Sequence, residues 1–255
     1  MSADSNFRPY PTVSIYGVPF SKMNMRETVD YLIRAIEERK PQRIVTGNPI
    51  MLMAAQEDSR YQTILETADL VVPDGAGVVW AARHVKQPVA ERVAGFDLMQ
   101  ELMREGDKRG WSVYLLGTTQ EILDAAEANL KRQYPGVRFA GKRNGFFTDE
   151  EDLEVIAEIR RANPDLLFVA RSVANQEPWL AKYEQELGVP VMMGVGGSFD
   201  VISGKLKRAP AAFRKLGLEW LYRLLQEPKR YKRMLVLPKF ALKVVKDGDN
   251  VLKTR

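Results

Sequence analysis

Short apolar runs alternate with longer amphipathic stretches along most of this chain, and that alternation limits its fold more than any other feature. Val13–Tyr16, Arg43–Thr46, Leu70–Val72, Ser112–Leu116, Val137–Ala140, Leu166–Ala170 and Val191–Val195 have the length and apolar character of buried strands. Helical stretches lie between them. Asn24 and Glu27 form a capping box for a helix to about Glu38, and Asn48-Pro49 pairs a cap with a proline at the first helical position. Gly77–Arg83 and Phe96–Arg109 read as helices. Thr118 with Glu121 opens a helix to about Tyr134, Thr148 with Glu151 opens one to Ala162, and Gln176–Leu187 is another. Strands and helices in this rhythm predict an α/β fold with a Rossmann-like, largely parallel sheet and helices on both faces.

In such a sheet the C-terminal strand ends share one edge, where ligands bind. Four strands here end on polar or glycine-bearing turns: Thr46-Gly47-Asn48, Pro73-Asp74-Gly75, Gly117-Thr118-Thr119 and Gly194-Val195-Gly196-Gly197-Ser198-Phe199-Asp200. Asp74 is the most informative of these residues. It can be a turn aspartate that caps the next helix, or a carboxylate facing a ligand at the sheet edge, with Gly75 and Gly77 letting that ligand approach the backbone. Glycine turns that lead into helices also offer N–H groups to phosphates, which suits a nucleotide.

Composition narrows the chemistry. The 255 residues contain no cysteine, so disulfides and thiolate metal sites are excluded, and with one histidine, His84, neither a histidine metal cluster nor a Ser-His-Asp triad is expected. His84 reads as a helix-surface residue. No dinucleotide fingerprint or P-loop is present, and no cofactor is expected. Asp247-Gly248-Asp249 has the form of a metal-binding Asp-x-Asp but follows a lysine-rich helix, so it reads as a solvated turn and no metal site is assigned. No apolar run approaches the roughly 18 residues of a membrane span, and the polar segment Met1–Pro11 shows no leader, so a cytoplasmic protein is expected.

Charge is divided unevenly. Residues 205–255 hold 15 Lys/Arg against 4 Asp/Glu, a net of +11, whereas residues 1–204 hold 23 against 29, a net of −6. We therefore expect a core over 1–204 and a basic helical appendage over 205–255, with helices at Pro210–Leu216, Leu218–Gln226 and Lys229–Val245 packed on the core. Such a basic arm points to an anionic partner. Arg223, Arg230 and Arg233 share a helix face if the helix continues through Pro228 or if two helices align there, and aromatic and aliphatic residues interleave with them. That pattern suits an anionic membrane surface or ordinary packing, and arginines facing a pyrophosphate would serve both.

Taken together, the ordered motifs resemble the WecG/TagA/CpsF family of glycosyltransferases, and most closely its TagA branch, over roughly residues 13–245. The resemblance is carried by Thr46-Gly47-Asn48-Pro49, the segment Ala68–Val78 around Asp74, and Glu91-Arg92-Val93-Ala94-Gly95. It continues through Asn163-Pro164-Asp165, Gly194–Asp200, Lys207-Arg208-Ala209-Pro210, Leu218–Leu224 and Pro228-Lys229-Arg230. It implies an inverting, metal-independent transfer of N-acetylmannosamine from UDP-N-acetylmannosamine to undecaprenyl-pyrophosphate-linked N-acetylglucosamine, in wall teichoic acid or a related wall polymer. It implies Asp74 as catalytic base, with Thr46, Asn48 and Gln176 at the sugar or the base. Arg92, Gly196, Gly197 and Asp200 would bind substrate, and Arg223, Arg230 and Arg233 would meet the pyrophosphate or the membrane. The expected partners are the UDP-sugar, the lipid-linked acceptor and the inner face of the plasma membrane. Nucleic acid is not expected, and a homo-oligomer is left open.

One stretch departs from the family pattern, which reads Leu-Gly-x-Pro-(Lys or His)-Gln-Glu. Here it is Arg171-Ser172-Val173-Ala174-Asn175-Gln176-Glu177. Loss of the glycine and proline changes the backbone angles this loop prefers, and Arg171 is a possible source of the lost charge. Transfer from UDP-N-acetylmannosaminuronate or UDP-glucose, and a non-catalytic lipid-binding protein, are the alternatives.

Overall fold

The computed structural model describes residues 8–252; Met1–Phe7 of the expected leaderless segment and 253–255 of the expected appendage lie outside it. Its strands are β1 (Thr12–Ile15), β2 (Val18–Ser21), β3 (Gln42–Gly47), β4 (Leu70–Pro73), β5 (Ser112–Gly117), β6 (Arg138–Arg143), β7 (Leu166–Ala170) and β8 (Val191–Gly194). They form one sheet in the order β1-β2-β4-β3-β8-β7-β5-β6. Only β1 and β2 pair antiparallel; every other neighbouring pair is parallel. The expected α/β architecture is present.

The helices of the body are α1 (Met25–Glu37), α2 (Pro49–Glu57), α3 (Ser59–Glu66), α4 (Ala76–His84), α5 (Gly95–Arg109), α6 (Gln120–Gln133), α7 (Asp152–Ala162), α8 (Val173–Leu187) and α9 (Ser198–Ile202). Those of the basic segment are α10 (Ala211–Lys215), α11 (Glu219–Gln226), α12 (Tyr231–Met234) and α13 (Val236–Asp247). Alternate strand residues feed opposite faces. Ile44, Leu70, Val72, Phe168 and Met193 belong to one buried cluster. Val45 and Val71 belong to a second, and Leu167, Val169 and Met192 to a third. Burial on both faces explains why these strands read as unbroken apolar runs.

Several boundaries differ from expectation, each for a local reason. The first strand is half of a hairpin: Tyr16 and Gly17 both take positive φ, 50° and 84°, as a two-residue type I′ turn requires. The capping boxes of Asn24–Glu27 and Thr148–Glu151 form. Thr118 does not cap. It takes φ 53° at the end of β5, and Thr119 caps α6 instead. Asp58 ends α2 and caps α3, a break the sequence reading missed. Helix α8 starts at Val173, three residues before Gln176.

The end of the basic segment is built into the body. Phe240, Val244 and Val251 are buried in one cluster with Val13, Ile15, Phe20 and Val71. Burying each such side chain contributes roughly 1.5–3 kcal/mol. The Asp247-Gly248-Asp249 turn is therefore not simply solvated. Asp247 accepts hydrogen bonds from Lys243 Nζ (2.7 Å) and Tyr16 Oη (3.1 Å), and Tyr16 N donates to Val251 O (2.7 Å). His84 is exposed and stacks on Trp80 at 5.4 Å. Among the described residues no helix is long and apolar enough to cross a membrane.

Candidate functional site

Parallel register brings the strand ends to one edge. Gly47 lies opposite Pro73, Val169 opposite Gly194, and Gly117 opposite Ala170. The ends of β4, β3 and β8 are adjacent. The turn after β5 lies beyond β7, roughly 10 Å from β8 at ordinary strand spacing, so Thr118 and Thr119 stand apart from the other three turns.

Asp74 sits immediately after β4 and is half-buried. Its N–H donates to Gly47 O (2.9 Å), which ties the turn to the end of β3. It does not cap the helix that follows it, since α4 has no side-chain cap. Its Oδ2 instead accepts the N–H of Gly95 (3.2 Å), the first residue of α5. Desolvation pushes its pKa up to about 6, against the lowering effects of the Arg92 charge and the Gly95 hydrogen bond, with Glu219 and Asp97 adding upward pressure. A carboxylate poised near neutrality can accept a proton at physiological pH.

Thr46 lies within reach of the same point. A Cβ at Gly95 would stand 2.8 Å from Thr46 Cγ2, so the start of α5 closes on Thr46 only because residue 95 is glycine. Asn48 Oδ1 caps α2 by accepting from Ile50 N (3.0 Å) and Met51 N (3.2 Å), leaving its amide nitrogen for other partners. Arg92 forms an ion pair with Glu219 of α11.

Across β3, Gln176 and the β8 loop form a second group. Gly196 N donates to Gln176 Oε1 (3.0 Å), and Gln176 Nε2 donates to Glu177 Oε1 (2.8 Å). Arg223 of α11 reaches this loop and donates to Gly197 O at 3.4 Å, occupying the space that a side chain at 197 would need. Asp200 lies one turn further on, 3.5 Å from Lys205 Nζ.

The basic helix does break at Glu227, where a 3-10 turn spans Pro228–Arg230. Arg223, Arg230 and Arg233 nevertheless converge. Arg223 is half-buried and Arg233 exposed; desolvation by the surrounding protein lowers both guanidinium pKa values, and repulsion within the trio lowers them further. Glu227 pairs with Arg230 (2.8 Å) and Arg223 (3.4 Å), and the charge of Asp200 also acts on Arg223, so two carboxylates stand against three guanidinium groups. The surplus positive charge favours an anion beside the Gly196–Gly197 loop.

The altered loop keeps ordinary backbone. Ser172 is the N-cap of α8 with φ −64° and ψ 153°, which needs no glycine, and Ala174 lies in the first turn. Arg171 does not replace the missing charge. Its guanidinium stacks on Phe147 at 4.3 Å and feels the charges of Asp152 and Asp149. Sequence reasoning missed Glu219 and left Glu177 without a role; both are acids facing a named site residue, a relation that sequence spacing does not reveal. Among the described residues, no group of three or more His, Cys, Asp or Glu side chains is placed to hold a metal.

A sequence model of the glycosyl transferase WecG/TagA/CpsF family matches residues 13–252, nearly the whole described chain. The chain belongs to this family. The relatives it resembles include the N-acetylglucosaminyldiphosphoundecaprenol N-acetyl-beta-D-mannosaminyltransferase of Bacillus subtilis (strain 168), 35% identical over 94% of this chain and 93% of the relative. Proteins of the same description from Bacillus spizizenii and Staphylococcus aureus (strain MW2) are 38% and 36% identical. The alignments cover 83% and 95% of this chain, and 81% and 96% of those relatives. As a WecG/TagA/CpsF glycosyltransferase, the chain carries Asp74, Thr46, Asn48 and the Gln176 loop along the edge where its sheet can receive a ligand.

Proposed function

We propose that this glycosyltransferase moves N-acetylmannosamine from UDP-N-acetylmannosamine to the 4-hydroxyl of N-acetylglucosamine on undecaprenyl pyrophosphate, with inversion and without a metal. The relatives' shared activity supports the sugar and the acceptor. The observation that carries the chemistry is Asp74, a carboxylate raised to about 6 at the sheet edge beside Arg92. In the reaction the acceptor oxygen bonds to the donor's anomeric carbon, the bond from that carbon to the UDP oxygen breaks, and the acceptor proton passes to Asp74. General-base help of this kind contributes about 10²–10⁴ in rate.

Thr46 and Asn48 hold the sugar or orient the base, and Gln176 contacts substrate beside the Gly196–Gly197 loop. Negative charge that develops on the departing UDP is met by Arg92 and the Arg223–Arg230–Arg233 trio, whose three charges outnumber the neighbouring carboxylates of Glu227 and Asp200. Asp200 lies on the nucleotide side of the same loop. Residues 1–204 act as the catalytic core. Residues 205–255 act as the appendage that meets the acceptor's pyrophosphate and the anionic inner face of the plasma membrane. The exposed Leu225, Tyr231, Leu235 and Leu242 among its lysines support that attachment.

The altered first turn of α8, next to Gln176, favours a second donor reading, UDP-N-acetylmannosaminuronate or UDP-glucose. A panel of UDP-sugars assayed on a lipid-linked N-acetylglucosamine acceptor, with products read by mass spectrometry, tests both. N-acetylmannosamine addition supports the first reading; transfer of only another sugar replaces it.

A further inference from the structure

Glu177 follows Gln176 on α8, and none of its surface reaches solvent. Its Oε1 accepts from Gln176 Nε2 (2.8 Å), while its Oε2 is buried with no partner. Burial raises its pKa to about 7, partly offset by the Gln176 hydrogen bond and the Arg43 charge. A buried acid with one unsatisfied oxygen is costly, so packing alone does not account for a carboxylate here.

The arrangement around the Gln176 amide does account for it. The oxygen and nitrogen ends of a carboxamide have nearly the same shape, so shape alone leaves a glutamine free to sit either way round. Here each end meets a partner of opposite chemistry. The Gly196 N–H can only donate, and it takes the oxygen at 3.0 Å. The Glu177 oxygen accepts, and it takes the nitrogen. Gly194 contributes by having no side chain: the heads of Gln176 and Glu177 fill the space its Cβ would occupy, so the pair lies flush against the end of β8. The second hydrogen on Nε2 has no acceptor among the described residues.

We propose that Glu177 is a positioning residue for Gln176: it locks the amide with its oxygen on Gly196 and holds the spare N–H ready for a substrate oxygen at the β8 edge. This rests on the reading of Gln176 as a substrate contact. Glu177→Gln keeps the size but can present either an amide nitrogen or an amide oxygen to Gln176, so the constraint at the nitrogen end is removed and the Gly196 N–H alone orients the amide.

Turnover of the full-length enzyme should fall about 10- to 100-fold in Glu177→Gln, the size of one hydrogen bond to a charged group. In a Gln176→Ala background the same change should cost less than about twofold, because non-additivity marks residues that act through each other. Equal losses in both backgrounds would overturn the proposal. A second readout needs no activity. In ¹⁵N spectra of the parent enzyme the Gln176 carboxamide should give one slowly exchanging NH₂ pair, and in Glu177→Gln a doubled or broadened one. An unchanged pair in the variant overturns the proposal. Should Glu177→Gln fail to fold, the parent decides, since a Gln176 pair that exchanges as fast as that of a solvent-exposed glutamine also overturns it. An enzyme that transfers no sugar from the donor panel defeats the proposed function, while the spectra still decide the role of Glu177.

Discussion

Arg92 and Glu219 form an ion pair that joins the Asp74 edge of the sheet to the basic segment, with side chains 19% and 31% exposed. Arg92 precedes α5 and lowers the pKa of Asp74; Glu219 opens α11 and raises it. One contact therefore bears both on the free charge of Arg92 and on the proton affinity of Asp74. Glu219→Gln should free Arg92 and remove a negative charge near Asp74. Both effects lower the Asp74 pKa, so the acid limb of kcat/KM should move to lower pH, and the KM for the UDP-sugar should fall. An unmoved limb would show that the pair does not act on the base.

Asp74 should be ionised to work, so kcat/KM should be lost as pH falls through about 6. The stability effect has the opposite sense. Because the folded-state pKa lies above the ordinary value of 3.8, the native state binds more protons between roughly 3.8 and 6, and stability declines as pH rises through that window. Asp74→Asn should therefore lower turnover about 10²–10⁴-fold yet raise the Tm at pH 7.5. Unchanged turnover would remove Asp74 as the base, and a lowered Tm would contradict its desolvation.

The first turn of α8 offers a test of donor choice. Ser172→Gly, Ala174→Pro and Asn175→Lys together restore the family pattern beside Gln176. Proline at 174 disfavours the helical angles of residue 173, so the helix should start later. We expect altered turnover or altered preference across UDP-sugars, with a Tm change of a few degrees at most, about the shift of a 1 kcal/mol change. Identical kinetics across the panel would make the stretch a neutral variation.

Membrane attachment and charge stabilisation should separate by residue. Lys229, Lys232 and Lys239 are exposed, whereas Arg223 and Arg230 are partly buried beside the site. Each basic residue near an anionic leaflet contributes about 1 kcal/mol, so replacing the three lysines by glutamine should weaken binding to phosphatidylserine vesicles roughly 100-fold. Turnover on a short water-soluble acceptor should stay the same. Replacing Arg223, Arg230 and Arg233 by glutamine should reduce that turnover without any membrane. Equal vesicle binding by the lysine variant would move attachment elsewhere. Deletion from Lys205 onward is a poor substitute for these changes, because it strips Phe240, Val244 and Val251 from the core.

The sequence by itself determined the α/β architecture, most cap positions and the family, because these depend on local signals. Apolar runs of strand length, Asn or Thr before a helix, and the turns at Gly47, Asp74 and Gly194 leave their mark within a few residues. Register across parallel strands decided the rest. It set Gly47 beside Pro73 and carried the β5 turn away from the site, which no short window of sequence records. Tertiary packing also decided that Asp74 meets α5 rather than the helix that follows it, and that Arg223 reaches Gly197 despite the break at Glu227. It paired Arg92 with Glu219, 127 residues away along the chain. Such contacts arise where separate elements dock, and their partners are chosen by distance in space and by desolvation, neither of which the order of residues states.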